Sequence, residues 1–270
     1  MESIIKPTKR LIGLLKNTND LVDLSNFHFI YPIELLPMAS LISEKSLEYI
    51  KPVDKNCQGY MKYFDFPNGL TRFSPKSHRF IQIYKFSASK ADKRSLLDKS
   101  EILKNLIEIC LSNIGSPRGA VSALNLAVDE IISNVEDHSE AKYGWINTQY
   151  YPKKDFLDMC ILDRGITIAG KYKKVGKGFG SDLEALKNAL EGESSKPEKI
   201  RGSGLPTFTN LITQAFDGEM IIISGNAIVY ANKKSGPIVN KISVKWDGTI
   251  VAFRIPKNLE SIDYTQYIDQ

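Results

Sequence analysis

The chain has 270 residues, 42% hydrophobic and 25% charged, which are the proportions of a globular protein with a buried core and exclude wholesale disorder. Its net charge of +5 comes from scattered lysines and arginines rather than a dense basic face, which argues against a nucleic-acid binder. The three cysteines, Cys57, Cys110 and Cys160, are odd in number and form no C-x-x-C pair. Met1 to Lys16 lacks the apolar core of a signal peptide, and no apolar run approaches the roughly 20 residues of a membrane span. A cytoplasmic protein without a membrane partner is therefore expected.

In chain order, Leu21 to Ser25 with Phe27 to Ile30 reads as a buried strand with a turn inside or beside it. Pro32 to Glu44 is apolar at helical spacing, and Phe80 to Phe86 alternates as a strand does. Ser87 to Arg94 is polar, and a boundary is expected there, dividing an N-terminal α/β region (1–94) from a larger domain (95–270). Helices follow over Leu96 to Ile114 and Ala120 to His138, then strands over Tyr143 to Tyr150 and Phe156 to Leu162. Asp163 to Arg201 reads as a long loop, and Pro206 to Phe216 as a helix. Strands are expected at Glu219 to Ser224, Ala227 to Ala231, Lys241 to Trp246 and Thr249 to Ile255, with Asp247-Gly248 as a hairpin turn. The order implies an α+β protein, a two-layer α/β sandwich with a mixed sheet.

Three segments carry chemistry. On the helix ending at His138, the residues Glu130, Asn134 and His138 are spaced four apart and climb one line beside an apolar stripe. A carboxylate, an amide and an imidazole at the edge of a buried surface can hold a magnesium ion and position a water, although polar residues at this spacing are also common on plain amphipathic helices. Asp163-Arg164-Gly165 closes an apolar strand: an acceptor for an amino group next to a glycine that turns tightly, or simply a turn. Arg201-Gly202-Ser203-Gly204-Leu205 opens a helix, where exposed N–H groups suit a phosphate; a flexible loop is the plainer reading.

Taken together and in this order, the three segments resemble the GHKL ATPase superfamily, in the histidine-kinase-like and anti-sigma-factor branch, over residues 95–256. The resemblance implies a Bergerat ATP-binding fold with ATP and Mg²⁺ as ligands. It implies that Asn134 coordinates the metal, Glu130 serves as general base, Asp163 accepts from the adenine amino group, and Gly165 lets the chain approach the base. Gly202 and Gly204 would bind phosphates, with Arg201, Leu205 and His138 beside them, and Gly165 to Arg201 would form a lid whose Lys171 to Lys177 reaches the phosphates. Thr167 stands where the family usually has a second glycine. The implied function is a slow Mg-dependent ATPase that switches a protein partner by lid ordering; a serine/threonine protein kinase of the anti-sigma type and a non-catalytic nucleotide-binding module are the alternatives, and a homodimer stays open. A histidine autokinase is disfavoured, because the three histidines (28, 78 and 138) offer no phosphoacceptor on a dimerisation helix. Leu24 to Ile30 and the following helix resemble the core of a STAS domain, without its phosphoacceptor serine; the alternative is an α/β extension that packs on the ATP-binding domain.

Overall fold

The computed structural model describes residues 2–73, 77–114, 118–193, 204–257 and 261–267. Helix α1 (Ile5–Asn17) leads into β1 (Leu21–Asp23), α2 (Pro32–Lys45), β2 (Glu48–Ile50) and α3 (Lys55–Tyr63). Then come β3 (Phe80–Ser87), α4 (Lys93–Asn113), α5 (Ala120–His138), β4 (Tyr143–Tyr151) and β5 (Phe156–Asp163). Two short helices, α6 (Ile168–Lys174) and α7 (Asp182–Leu190), precede α8 (Gly204–Asn210), which continues as a π-turn over Leu211–Ala215. The chain closes its sheet with β6 (Glu219–Asn232) and β7 (Gly236–Pro256). Among the described residues no helix is long and apolar enough to cross a membrane.

The protein is α+β. Five strands form one sheet in the order β3-β4-β5-β7-β6, and every neighbouring pair runs antiparallel. The expected mixed main sheet is thus corrected: parallel pairing between named strands is confined to a separate ribbon, β1 with β2, joined through α2. The expected strand at Phe27 to Ile30 does not form; strand structure there is limited to β1. β3 lies before residue 94, yet it pairs with β4 over Phe80↔Gln149 to Ser87↔Tyr143 and is an edge strand of the main sheet.

Strand β5 explains the layering. All eight of its residues are buried. Leu157, Met159 and Ile161 pack into a core shared with α4, α5 and the α8 segment, whereas Phe156, Cys160 and Leu162 pack into a second core with α1, α2 and α3. Alternate side chains on a strand point to opposite faces, so the sheet is covered on both sides and β5 reads as one continuous apolar run. The N-terminal helices therefore form a third layer on the back of the sheet.

That back layer is fastened by charge as well as by apolar contact. Arg254 of β7, fully buried, donates from Nε and Nη2 to the two carboxylate oxygens of Asp158 on β5 at 2.6 Å each. Its guanidinium stacks on Phe156 at 3.8 Å and also donates to the Glu2 carbonyl, which pins the N-terminus to the sheet. In α2, Glu34 reaches back to the Tyr31 N–H at 3.0 Å and pairs with Arg10 of α1, closing the helix start over the sheet.

The expected hairpin at Asp247-Gly248 is also corrected. β6 and β7 meet at a turn after Asn232, whose side-chain oxygen accepts from the N–H groups of Lys234 and Ser235. Asp247-Gly248 instead sits inside β7 as a bulge, since Trp246 pairs with Gly225 and Thr249 with Ser224. Gly248 has φ +95°, and a Cβ there would fall 2.4 Å from the Asp163 carbonyl oxygen. The glycine is used for close approach rather than for a reversal.

Candidate functional site

Helix α5 forms over the expected span because its apolar residues keep helical spacing: Ala123, Leu124, Ala127, Val128, Ile131, Ile132 and Val135 are buried. That packing turns the flank of the helix, with half-buried Glu130, Asn134 and His138, toward a cleft. The cleft encloses about 980 Å³ including its open mouth. Its other walls are the end of β5 with Asp163, the α6–α7 segment with Thr167, Ile168, Lys171 and Tyr172, the start of α8 with Gly204 and Leu205, and Thr249 and Val251 of β7. Segments widely separated in sequence thus meet here.

Asp163 lies at the buried end of β5, 3% exposed. Its carboxylate accepts from the Gly165 N–H at 2.9 Å and from the Thr249 backbone N–H. Among the described residues no cation pairs with it. Burial, with a smaller contribution from the negative Glu44, pushes its carboxyl up to about 7 although the two N–H donors pull the other way. A buried carboxylate supported only by neutral donors is poised to take a further donor from a ligand.

Gly165 is not among the residues that line the cleft. A Cβ at this position would lie 1.8 Å from the Ser139 carbonyl oxygen, which also accepts from the Ile166 N–H at 2.7 Å. Only glycine lets the turn after Asp163 lie against the end of α5. Thr167, at the position of the missing second glycine, is the N-cap of α6: its hydroxyl accepts from the Gly170 N–H at 3.0 Å.

Gly204 is equally close to α5. A Cβ there would stand 2.9 Å from Glu130 Oε1 and 4.0 Å from Asn134 Nδ2, so the main chain of α8 runs directly over the carboxylate. Arg201 and Gly202 lie outside the described residues. Of the lysine run, Lys171 lines the cleft and donates from Nζ to the Asp137 carbonyl at 3.2 Å. Lys174 and Lys177 pair with Glu140 and Glu193.

Within the stretch expected to be a loop, the described residues up to 193 are held by specific bonds. α6 is tied to the bulge, since the Ile168 N–H donates to Ser224 Oγ at 3.0 Å and that hydroxyl donates to the Gly248 carbonyl at 3.1 Å. α7 is tied to it through Asp182, which accepts from the Asn226 N–H at 3.0 Å. Tyr172, Ala185 and Ala189 make a small core between the two helices, with Phe179 edge-on to Tyr172 at 4.9 Å.

Ser139, Thr249, Ser224 and Gly248 were not anticipated from the sequence. Ser139, Thr249 and Gly248 act through backbone positions and Ser224 through its hydroxyl; all four are brought together by the fold, so no local pattern marks them. Among the described residues no group of three or more His, Cys, Asp or Glu side chains is arranged to hold a metal ion alone. No protein-family model, curated protein or solved structure matches the chain.

Proposed function

We propose that the cleft binds Mg-ATP as in the GHKL superfamily, and that the protein is a slow ATPase whose nucleotide state controls a protein partner. The observation that carries this reading is convergence. Glu130, Asn134, Asp163 and Gly204, singled out from three separate sequence segments, line a single cleft.

The residues fit the ligand. Asp163 is a buried acceptor, supported only by neutral donors, for the amino group of the adenine base. Gly165 lets the turn that carries Asp163 lie against the end of α5. The Gly204 main chain and Lys171, which line the cleft with Glu130 and Asn134, would be the groups that meet the phosphates. Asn134 would give the metal one oxygen, and the phosphates would complete its shell. Magnesium supplies neutralisation of charge on the transferring phosphoryl group. Glu130 would accept a proton from an attacking water. The α6–α7 segment is the element whose position would report the nucleotide.

Incubation with labelled ATP, alone and with cell lysate, tests the reading. Free phosphate without labelled protein is the expected result; a labelled partner protein would make the chain a kinase instead. Glu130→Ala should bind Mg-ATP but lose turnover by about 10²–10⁴-fold. Full affinity for Mg-ATP in Asn134→Ala would show the site to be wrong.

A further inference from the structure

Asp163 and Arg164 are successive residues at the end of β5, and they serve opposite faces of the sheet. Asp163 enters the cleft, whereas Arg164 turns to the back, where its side chain is 7% exposed. There Arg164 Nε meets Glu44 Oε2, near the C-terminal end of α2, at 3.3 Å, and its guanidinium lies 5.0 Å over the ring of Trp246. Trp246 in turn donates from Nε1 to the carbonyl oxygen of Asp163 at 3.2 Å. Trp145 of β4 donates to the other oxygen of Glu44 at 2.8 Å. The chain has only two tryptophans, and both are in this cluster.

These contacts close a ring from α2 through Arg164 and Trp246 to the main chain of Asp163. A nearly buried guanidinium is tolerated only with a partner, and the partner comes from the N-terminal layer. We propose that the Arg164–Glu44 pair is a positioning strut, through which the N-terminal layer holds Asp163 in the geometry that reads the nucleotide base. The inference rests on the nucleotide reading above. Arg164 and Glu44 touch no ligand; they set the angle of the residue that does. The nucleotide site and the back layer are thereby coupled, so a partner that shifts α2 alters base recognition.

The test measures equilibrium binding of Mg-ATP and Mg-GTP to the full chain, following tryptophan emission and, independently, calorimetric heat. In the wild type, ATP is expected to bind in preference to GTP and to change the emission. In Arg164→Met and in Arg164→Lys, which keeps the charge but loses the planar stack and fork, ATP affinity should fall about tenfold while GTP affinity stays the same. Global damage would weaken both nucleotides together. Glu44→Gln adds a sharper sign. It removes a negative charge that pushes the Asp163 carboxyl up, so charge alone would strengthen ATP binding; the strut requires it to weaken. It also serves where the Arg164 variants do not fold. Wild-type affinity and base preference in these variants would overturn the strut while leaving the nucleotide site standing. A wild type that binds no Mg-ATP would overturn the nucleotide reading and the strut with it.

Discussion

The two faces of the sheet bury charge in different ways. On the back, Asp158 is matched by Arg254 in a two-pronged ion pair, and the guanidinium stacks on Phe156. On the front, Asp163, five residues further along the same strand, is as deeply buried but held only by backbone N–H groups. The first carboxylate is complete within the fold. Burial raises both carboxyls, Asp158 to about 6 despite its partner and Asp163 to about 7, but only the second leaves acceptor capacity facing a cleft. Burial alone does not mark a site; burial without a charged partner at the edge of a cavity does.

The sharpest way to break this comparison is to remove one partner of the complete pair. Asp158→Ala leaves Arg254 buried and unpaired, and should cost about 3–5 kcal/mol in denaturant unfolding, with nucleotide affinity of the folded fraction unchanged. An equal loss of nucleotide affinity would mean that the two faces are not functionally distinct.

Asp163→Asn should do the reverse. The Asn side chain still accepts the Gly165 N–H but presents no charge, so Mg-ATP affinity should fall by about 10–100-fold. Its stability should behave oppositely. The folded-state pKa of Asp163 is raised to about 7, so its contribution favours the folded wild type below pH 4 and is lost as pH rises toward 7. The variant has no such loss, and by thermal melts at pH 8 it should exceed the wild type by on the order of 2–4 kcal/mol. A variant that is destabilised at pH 8 would assign Asp163 to structure.

Much of the front face was legible in the sequence because its signals are local and periodic. Helix α5 was expected at Ala120 to His138 and occupies that span, and β4 and β5 end within one residue of expectation. The back face was legible only in part: its helix α2 was expected at Pro32 to Glu44 and spans Pro32–Lys45. Nothing in Phe80 to Ser87 says that it joins a sheet built from residues more than fifty positions away, and the charged sequence of α1 hides the few residues it buries, Pro7, Thr8 and Leu11, next to the buried Ile4 at its N-cap. α6 and α7, at 7 and 9 residues, are too short to establish a period; their evidence lies in the caps Thr167 and Ser181. Asp247-Gly248 misled because a glycine that permits close approach and one that reverses the chain share the same dipeptide.

Gly165→Ala sharpens the comparison at the turn. Its new methyl group would overlap the Ser139 carbonyl, so the turn must move; a cost of about 1–3 kcal/mol in unfolding, with weakened nucleotide binding, is expected. Alanine tolerated without either effect would show that the turn need not lie against α5.

The smallest effect is on pH. A ligand amino group donates more strongly to the ionised carboxylate than to the neutral acid, so with the Asp163 pKa at about 7, ATP affinity should rise by up to about tenfold from pH 6 to pH 8. Asp163→Asn is the control that removes the contribution of Asp163 while leaving the titration of the phosphates in place.

The most direct test of the central claim is calorimetric titration of the full chain with Mg-ATP, with Asp163→Asn titrated in parallel. A saturable one-site isotherm is expected for the wild type and is largely lost in the variant. Absence of heat with the wild type, or equal affinity in the variant, would contradict it.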